Sequence, residues 1–212
     1  MKRLIAITAA SAAVLAAAIA SAAPPATLTL AANPPVVLYG KAVALSGQLA
    51  PAKANQNIVL QAKACGKTAF TRAATAKTTS TSAYSFSVTP TGATAYTAGW
   101  KNSSSPTVTV TVRPLVELTR LARGSYTAKV TAGEALTGKA VLFQRYAKLR
   151  KRWVQVKRVV LTTATPAPTK PTVITSVSFK AKAPLRARVR MLLSTAQAAP
   201  CYVSAASNVL RA

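Results

Sequence analysis

The sequence has no histidine and no aspartate, and its only acidic residues are Glu117 and Glu134. A Ser-His-Asp or Cys-His arrangement cannot be assembled from such a chain, nor can a two-histidine metal site. A paired-carboxylate glycosidase would need Glu117 and Glu134 facing each other across a sugar, and both read as isolated polar positions at strand edges or turns. A Ser-Lys dyad or a lone cysteine nucleophile would need a local signature, and none is present. No glycine-rich strand-to-helix turn stands ready to cradle phosphates. The expectation is a non-enzymatic protein with no metal, no cofactor and no small-molecule substrate.

Long apolar runs are also scarce. The one such run, Leu4 to Ala20, follows Met1-Lys2-Arg3 and ends at Ala20-Ser21-Ala22, with Pro24-Pro25 next. A short positive start, an apolar stretch and a small-x-small site are the three regions of a secretory signal peptide, expected over residues 1–22. No other segment is apolar for long enough to span a bilayer, so a secreted, extracytoplasmic chain is expected, soluble or associated with the cell surface. Cysteine is limited to Cys65 and Cys201. In an oxidising compartment an even count favours a disulfide over free thiols.

What the chain does have is positive charge and period-two patterning. It carries 28 Lys and Arg, and losing Lys2 and Arg3 with the leader takes the net charge from +26 to +24. Eight of the basic residues lie between Pro24 and Arg113, and eighteen between Pro114 and Ala212. Such a balance keeps a protein soluble by like charge and attracts polyanions, among them anionic wall polymers, acidic lipid surfaces and nucleic acids.

Strands of alternating character run through the whole chain beyond the leader. AVALSGQL, NIVLQAKA, TAFTRAATA, SAYSFSVTP, TAYTAGW and PTVTVTVR come first. Tyr84, Phe86 and Val88 alternate with Ser85, Ser87 and Thr89, the mark of a half-buried strand. Turn chemistry at Asn33-Pro34-Pro35, Pro51, Cys65-Gly66, Pro90-Thr91-Gly92 and Asn102 to Pro106 spaces the strands as in a sandwich. Arg113-Pro114 reads as a boundary, giving domains over 23–113 and 114–212. The second series is GSYTAKVTA, KAVLFQRYA, RWVQVKRVVL, TVITSVSFKAK, LRARVRML and SNVLRA. It repeats the first at an offset of 83, so that Val43 matches Tyr126, Ile58 to Gln61 match Val141 to Gln144, and Phe70 matches Trp153. Phe86 matches Phe179 only after an insertion of roughly ten residues in the proline-rich Thr163 to Thr172 loop, and duplication of one sandwich is the economical reading. The fold class is all-β, two tandem β-sandwiches.

YGKAVALSGQL, NIVLQAKACG with Phe70 beyond it, AYSFSVTP, TAYTAGW and VTVTVRP resemble the bacterial Ig-like repeats of exported proteins. VLFQRY followed by WVQVKRVVL is similar to the same element in a partner repeat. The resemblance implies immunoglobulin-like sandwiches and roles in the envelope, in adhesion or as spacers, and it brings no catalytic residues. Neither copy has the cysteine pair that would bridge its own two sheets. On the usual sandwich path, Cys65 closes a strand at the end from which Arg113-Pro114 leads out. Cys201, in the loop after LRARVRML, faces the same junction. A Cys65–Cys201 bridge is therefore predicted, with Cα atoms within about 7 Å.

The candidate site is basic. In LRARVRM, Arg186, Arg188 and Arg190 alternate with apolar residues, and a strand would set them in a row about 6.5–7 Å apart on its outer face. Arg145, Lys148, Arg150, Lys151 and Arg152 fall at or beside a hairpin tip, with Lys157 and Arg158 on the return strand. Lys180 and Lys182 add to another solvent face. Guanidinium forks suit phosphates and carboxylates, so the row is a polyanion track; as plain structure it would be a solvated face that discourages edge pairing. Trp153 alternates with Val154 and Val156, which places it on the Gln155 and Lys157 side, either to stack on a base or sugar or to cover basic stems. Tyr84, Phe86, Tyr96, Trp100 and Phe179 are expected in the core. The expected function is an interaction or adhesion module binding anionic envelope polymers, set against a dedicated polyanion or nucleic-acid binder and a passive spacer.

Overall fold

A computed structural model describes residues 25–212; the expected leader lies outside the described residues. The first edge is laid down in three pieces, β1 (Thr27–Leu28), β2 (Ala31–Asn33) and β3 (Val36–Leu38). Pro34 and Pro35, which have no N–H to donate, interrupt it. β4 (Val43–Ala50), β5 (Asn57–Ala64) and β6 (Thr71–Lys77) follow, then β7 (Ala83–Val88) and β8 (Thr94–Trp100). The two-residue β9 (Ser103–Ser104) and then β10 (Val108–Arg113) complete this half. β1 and β2 pair with β4, and β4 with β7; after the prolines β3 crosses to the other sheet, of order β3-β10-β8-β5-β6, and runs parallel to β10.

Past Pro114 come β11 (Leu115–Ala122), β12 (Ser125–Ala132), β13 (Ala140–Ala147) and β14 (Arg152–Val160). Then come β15 (Thr163–Pro166), β16 (Val173–Lys180), β17 (Arg188–Leu193), the four-residue helix α1 (Thr195–Ala198), β18 (Ala205–Ala206) and β19 (Leu210–Arg211). One sheet has the order β11-β12-β16-β15, the other β14-β13-β17 with β18 and β19 both on β17. First, second, sixth and fifth strands of this half on one side, with third, seventh and eighth on the other, is the strand order of an immunoglobulin sandwich, to which the fourth strand, β14, adds an outer edge beside β13. The chain is all-β and Ig-like, as expected. Among the described residues, all the strand pairings fall within 27–113 or within 115–211.

Besides the short pieces β1, β2, β3, β9 and β18, two strands were not legible as such. β11 carries Leu118 inward but otherwise reads as a mixed polar edge. The insertion at 163–172, expected as a loop, supplies β15, which pairs with β16 from Thr163↔Ser176 to Pro166↔Val173. A proline at the end of an edge strand is tolerated because no ladder donor is needed there.

The offset of 83 holds at the level of register. The β5–β6 ladder slips at Leu60/Gln61 and leaves Ala73 unpaired, and the β13–β14 ladder slips at Phe143/Gln144 and leaves Val156 unpaired. Both bulges thus occupy matched positions. The last match needs correction: Leu45 faces Phe86 in the first half, whereas Tyr126, the counterpart of Val43, faces Phe179. Phe179 therefore stands in register with Val88, two residues from Phe86.

Alternation fills the cores. Val43, Leu45, Ile58, Leu60, Val110 and Val112 are buried in the first, with Tyr84 edge-on to Phe86 at 5.9 Å. In the second, Tyr126, Phe143 and Phe179 form a three-ring cluster with centroids 4.9, 5.8 and 5.4 Å apart, over Leu118, Leu161, Met191 and Leu193. Each such side chain contributes about 1.5–3 kcal/mol by leaving water. Trp100 is not core as expected: it is half-buried at the rim, under Lys53 and Lys101, with Nε1 donating to Gln56 Oε1 at 3.2 Å.

The two halves meet at a bonded junction. Cys65 and Cys201 form the predicted disulfide with Cα atoms 5.4 Å apart. The Ala93 N–H donates to the Cys201 carbonyl at 2.8 Å and the Val203 N–H to the Val112 carbonyl at 3.0 Å. The Tyr202 hydroxyl donates to the Thr91 carbonyl at 3.0 Å and accepts the Gly133 N–H at 3.0 Å, while the Tyr39 and Thr172 hydroxyls pair at 3.0 Å. Burial pushes the Tyr202 phenol up to about 12.

Candidate anion-binding face and pole

The outer face of the β14-β13-β17 sheet is built by register. Tyr146 pairs with Trp153, Gln144 with Gln155 on one side and with Arg190 on the other, and Arg188 with Arg211 on β19. Residues directly opposite share a face, and so do residues two apart on a strand. Trp153, Tyr146, Arg188 and Arg211 therefore form one cross-strand row, and Gln155, Gln144 and Arg190 the next.

Within this face the arginines lie on the aromatic rings. The Arg190 guanidinium carbon sits 4.2 Å from the Trp153 centroid, and that of Arg188 lies 5.1 Å from Tyr146 and 5.8 Å from Trp153. Tyr146 meets Trp153 edge-on at 5.4 Å. Arg190 Nε donates to the oxygen of the buried Gln144 amide at 2.9 Å. Burial lowers the Arg190 pKa from its ordinary value, yet a guanidinium remains cationic. Stacking and the Gln144 bond hold the fork in place, so less rotamer freedom is lost when its terminal nitrogens meet an oxyanion. Trp153 thus covers arginine planes, the second of the two roles its position allowed.

Two expectations about the site change, those for Arg186 and Lys157. Arg186 does not continue the row: it lies in a turn with φ +61°, ahead of β17, which begins at Arg188. With the turn there, the Arg186 N–H donates to the Ala212 carbonyl at 3.0 Å and the Ala212 N–H to the Ala187 carbonyl at 2.9 Å. Lys157 does not share a face with Trp153, because the bulge at Val156 moves it opposite Phe143, and its Nζ donates to the Lys180 carbonyl at 2.8 Å. Lys151 belongs to the tip turn itself, with φ +47° and its N–H on the Lys148 carbonyl at 3.2 Å.

Beside the face, the β13–β14 tip and the 184–188 turn enclose a cleft of about 590 Å³. Arg145, Lys148, Arg150, Arg186 and Arg188 supply its charge, and Leu149 and Leu185 its apolar rim. Arg152 pairs with Ala147 beside it. Tyr146 and Arg188 line the cleft and also belong to the face, so the two are continuous. A second cleft of about 650 Å³ carries Arg123, Lys180 and Lys182 and shares Leu185.

Chain direction places these residues at one pole. β12 ends at the turn holding Gly133, β16 starts just after Thr172, and β17 leads to Cys201, all at the junction. Their other ends, with Arg123, Lys148 to Arg152, Lys180, Lys182 and Arg186, lie a strand length away, roughly 25 Å. Glu134 sits in the turn after β12 at the junction end, and Glu117, on β11, faces Lys129 of β12. Charge is thereby segregated: the distal pole is basic and holds no carboxylate side chain. Sequence reasoning missed Tyr146, Gln144, Arg211 and Arg123; their place on the face or pole depends on partner strands. Among the described residues no group of three His, Cys, Asp or Glu side chains could hold a metal, and no helix is long and apolar enough to cross a membrane.

The chain matches no protein-family model and no curated protein. Among solved structures it is similar to a marsupial T cell receptor, at 8% identity and TM-score 0.34, over 89% of this chain and 100% of that one. It is likewise similar to a tetra-tandem repeat from the extending region of a large adhesion protein, at 9% identity and TM-score 0.34, over 89% of this chain and 49% of that one.

Proposed function

We propose that this protein is a non-enzymatic interaction or adhesion module of the extracytoplasmic space, which captures anionic envelope polymers on the basic face of its C-terminal half. Two units, 23–113 and 114–212, carry it out: the first, joined by the disulfide, holds the second at a set angle. The observation that carries this reading is the pair Arg188 and Arg190, stacked on Tyr146 and Trp153 with Gln144 locking one fork. Arginines prepared in this way beside a pole without acidic side chains favour multivalent phosphate or carboxylate. An oxidising compartment accords with the Cys65–Cys201 bond.

The test is retention on isolated envelope polymers at low and moderate salt. The double variant Arg188→Gln with Arg190→Gln should bind more weakly, with the slope of log affinity against log salt reduced by about one to two. Retention that is indifferent to both salt and these arginines would refute the reading and leave a passive spacer.

A further inference from the structure

The distal pole carries a feature that polymer capture on the sheet face does not use. Leu149 is 101% exposed, Leu185 67% and Leu121 61%, and the other exposed large apolar residues among the described residues reach at most 45%. These three come from three separate connections at the same end of the sandwich. Leu121 is the unpaired residue of the bulge between Arg120 and Ala122, just before the β11–β12 turn. Leu149 stands at the β13–β14 tip between Lys148 and Arg150, and Leu185 precedes Arg186 in the turn before β17. A core has no use for leucines this exposed at or beside turns, where polar residues are the rule.

Their surroundings select the partner. Each leucine has basic neighbours: Arg120 and Arg123; Lys148, Arg150, Lys151 and Arg152; Arg186 and Lys182. Leu149 and Leu185 rim the same cleft, and Leu185 also lines the cleft of Arg123, Lys180 and Lys182. A soluble polyanion would satisfy the cations and leave the leucines wet. A bilayer surface offers both phases at the right depths, phosphates at the headgroup level and hydrocarbon just beneath. Lys and Arg stems can lie along that boundary with their charges in the headgroups.

We infer that the distal pole is a membrane-docking tip: Leu121, Leu149 and Leu185 enter the interface of an anionic bilayer while the surrounding Lys and Arg side chains contact lipid phosphates. The tip goes beyond the polymer-binding reading and can fail without it. Docking there leaves the outer face of β14-β13-β17 upright beside the bilayer and the N-terminal half pointing away.

The experiment is co-sedimentation of the mature protein with vesicles at about 0.15 M salt. One set contains phosphatidylcholine with about 30 mol% phosphatidylglycerol, the other phosphatidylcholine alone. Wild type should pellet with the anionic set and remain in solution with the neutral one. The triple variant Leu121→Ser, Leu149→Ser and Leu185→Ser keeps every charge and touches no core position. It should lose roughly tenfold or more in vesicle affinity while binding soluble polyphosphate as wild type does. Equal vesicle binding by the triple variant would overturn insertion and leave plain surface electrostatics. Polyphosphate binding without vesicle binding would overturn the docking tip and spare the polymer reading. Equal binding to neutral vesicles would overturn the phosphate contacts. Concentration-dependent dimers lost in the triple variant would assign the leucines to a second copy of the chain instead.

Discussion

Arg190 lies over Trp153, its guanidinium carbon 4.2 Å from the ring centroid, while its Nε is held by Gln144. The ring therefore presents the cation. Trp153→Ala should lower affinity for anionic polymers by about two- to thirtyfold, the range a partly desolvated cation–π contact contributes. Trp153→Phe should recover part of it, and Arg190→Lys should not, since an ammonium lacks the planar fork. Titration calorimetry with one defined polyanion checks all three.

Gly47 is a second place where one atom decides. A Cβ there would lie 1.9 Å from the Thr29 carbonyl oxygen and 2.7 Å from the Tyr84 hydroxyl. Gly47 faces Tyr84 in the ladder, and the buried tyrosine reaches over it to donate to that carbonyl. Gly47→Ala should cost at least about 2 kcal/mol, because backbone must move and a buried hydroxyl loses its acceptor. Denaturant unfolding followed by tyrosine fluorescence would measure it.

At the junction, the double variant Cys65→Ser with Cys201→Ser should lower stability by about 2–4 kcal/mol, since the bond closes a very long loop. The backbone bonds through Ala93 and Val203 remain, so both halves should stay folded while the angle between them broadens. Small-angle scattering of the double serine variant should show a wider distribution of maximum dimension; an unchanged profile would mean that those bonds and Tyr202 hold the angle alone.

Alkaline pH should act through two tyrosines. Burial pushes both Tyr84 and Tyr202 up to about 12. A phenol near 10 in the unfolded chain and higher in the fold binds more protons when folded. Its stabilisation is complete below pH about 10 and is lost as pH rises towards 12, by up to about 1.4 kcal/mol per unit for each group. Circular dichroism melts between these values should show the decline, and Tyr202→Phe should flatten its share of the slope.

Much of the architecture was legible because alternation is a local property. Tyr84, Phe86 and Val88 could only be one buried face, and the offset of 83 carried the β5–β6 hairpin into β13–β14 down to the residue that bulges. The paired cysteines also followed from sequence, since strand parity sets which end of a sandwich a residue reaches. β11 and β15 were less visible, because edge strands with one short buried face carry little periodic signal.

The amino-acid sequence by itself determined an all-β chain, its repeat at an offset of 83, its cysteine pairing, its excess of positive charge and its want of histidine and aspartate, all of which rest on composition or on period-two spacing. Tertiary structure alone decided where that charge went. The bulge at Val156 turned Lys157 away from Trp153, the turn at Arg186 ended the expected row, and pairing across β13 set Arg190 on Trp153. Strand direction then gathered Leu121, Leu149 and Leu185, separated by up to 64 positions in the chain, at one basic pole. Which side chains meet across a sheet depends on register and loop closure, and these are properties of partner strands that no single segment contains.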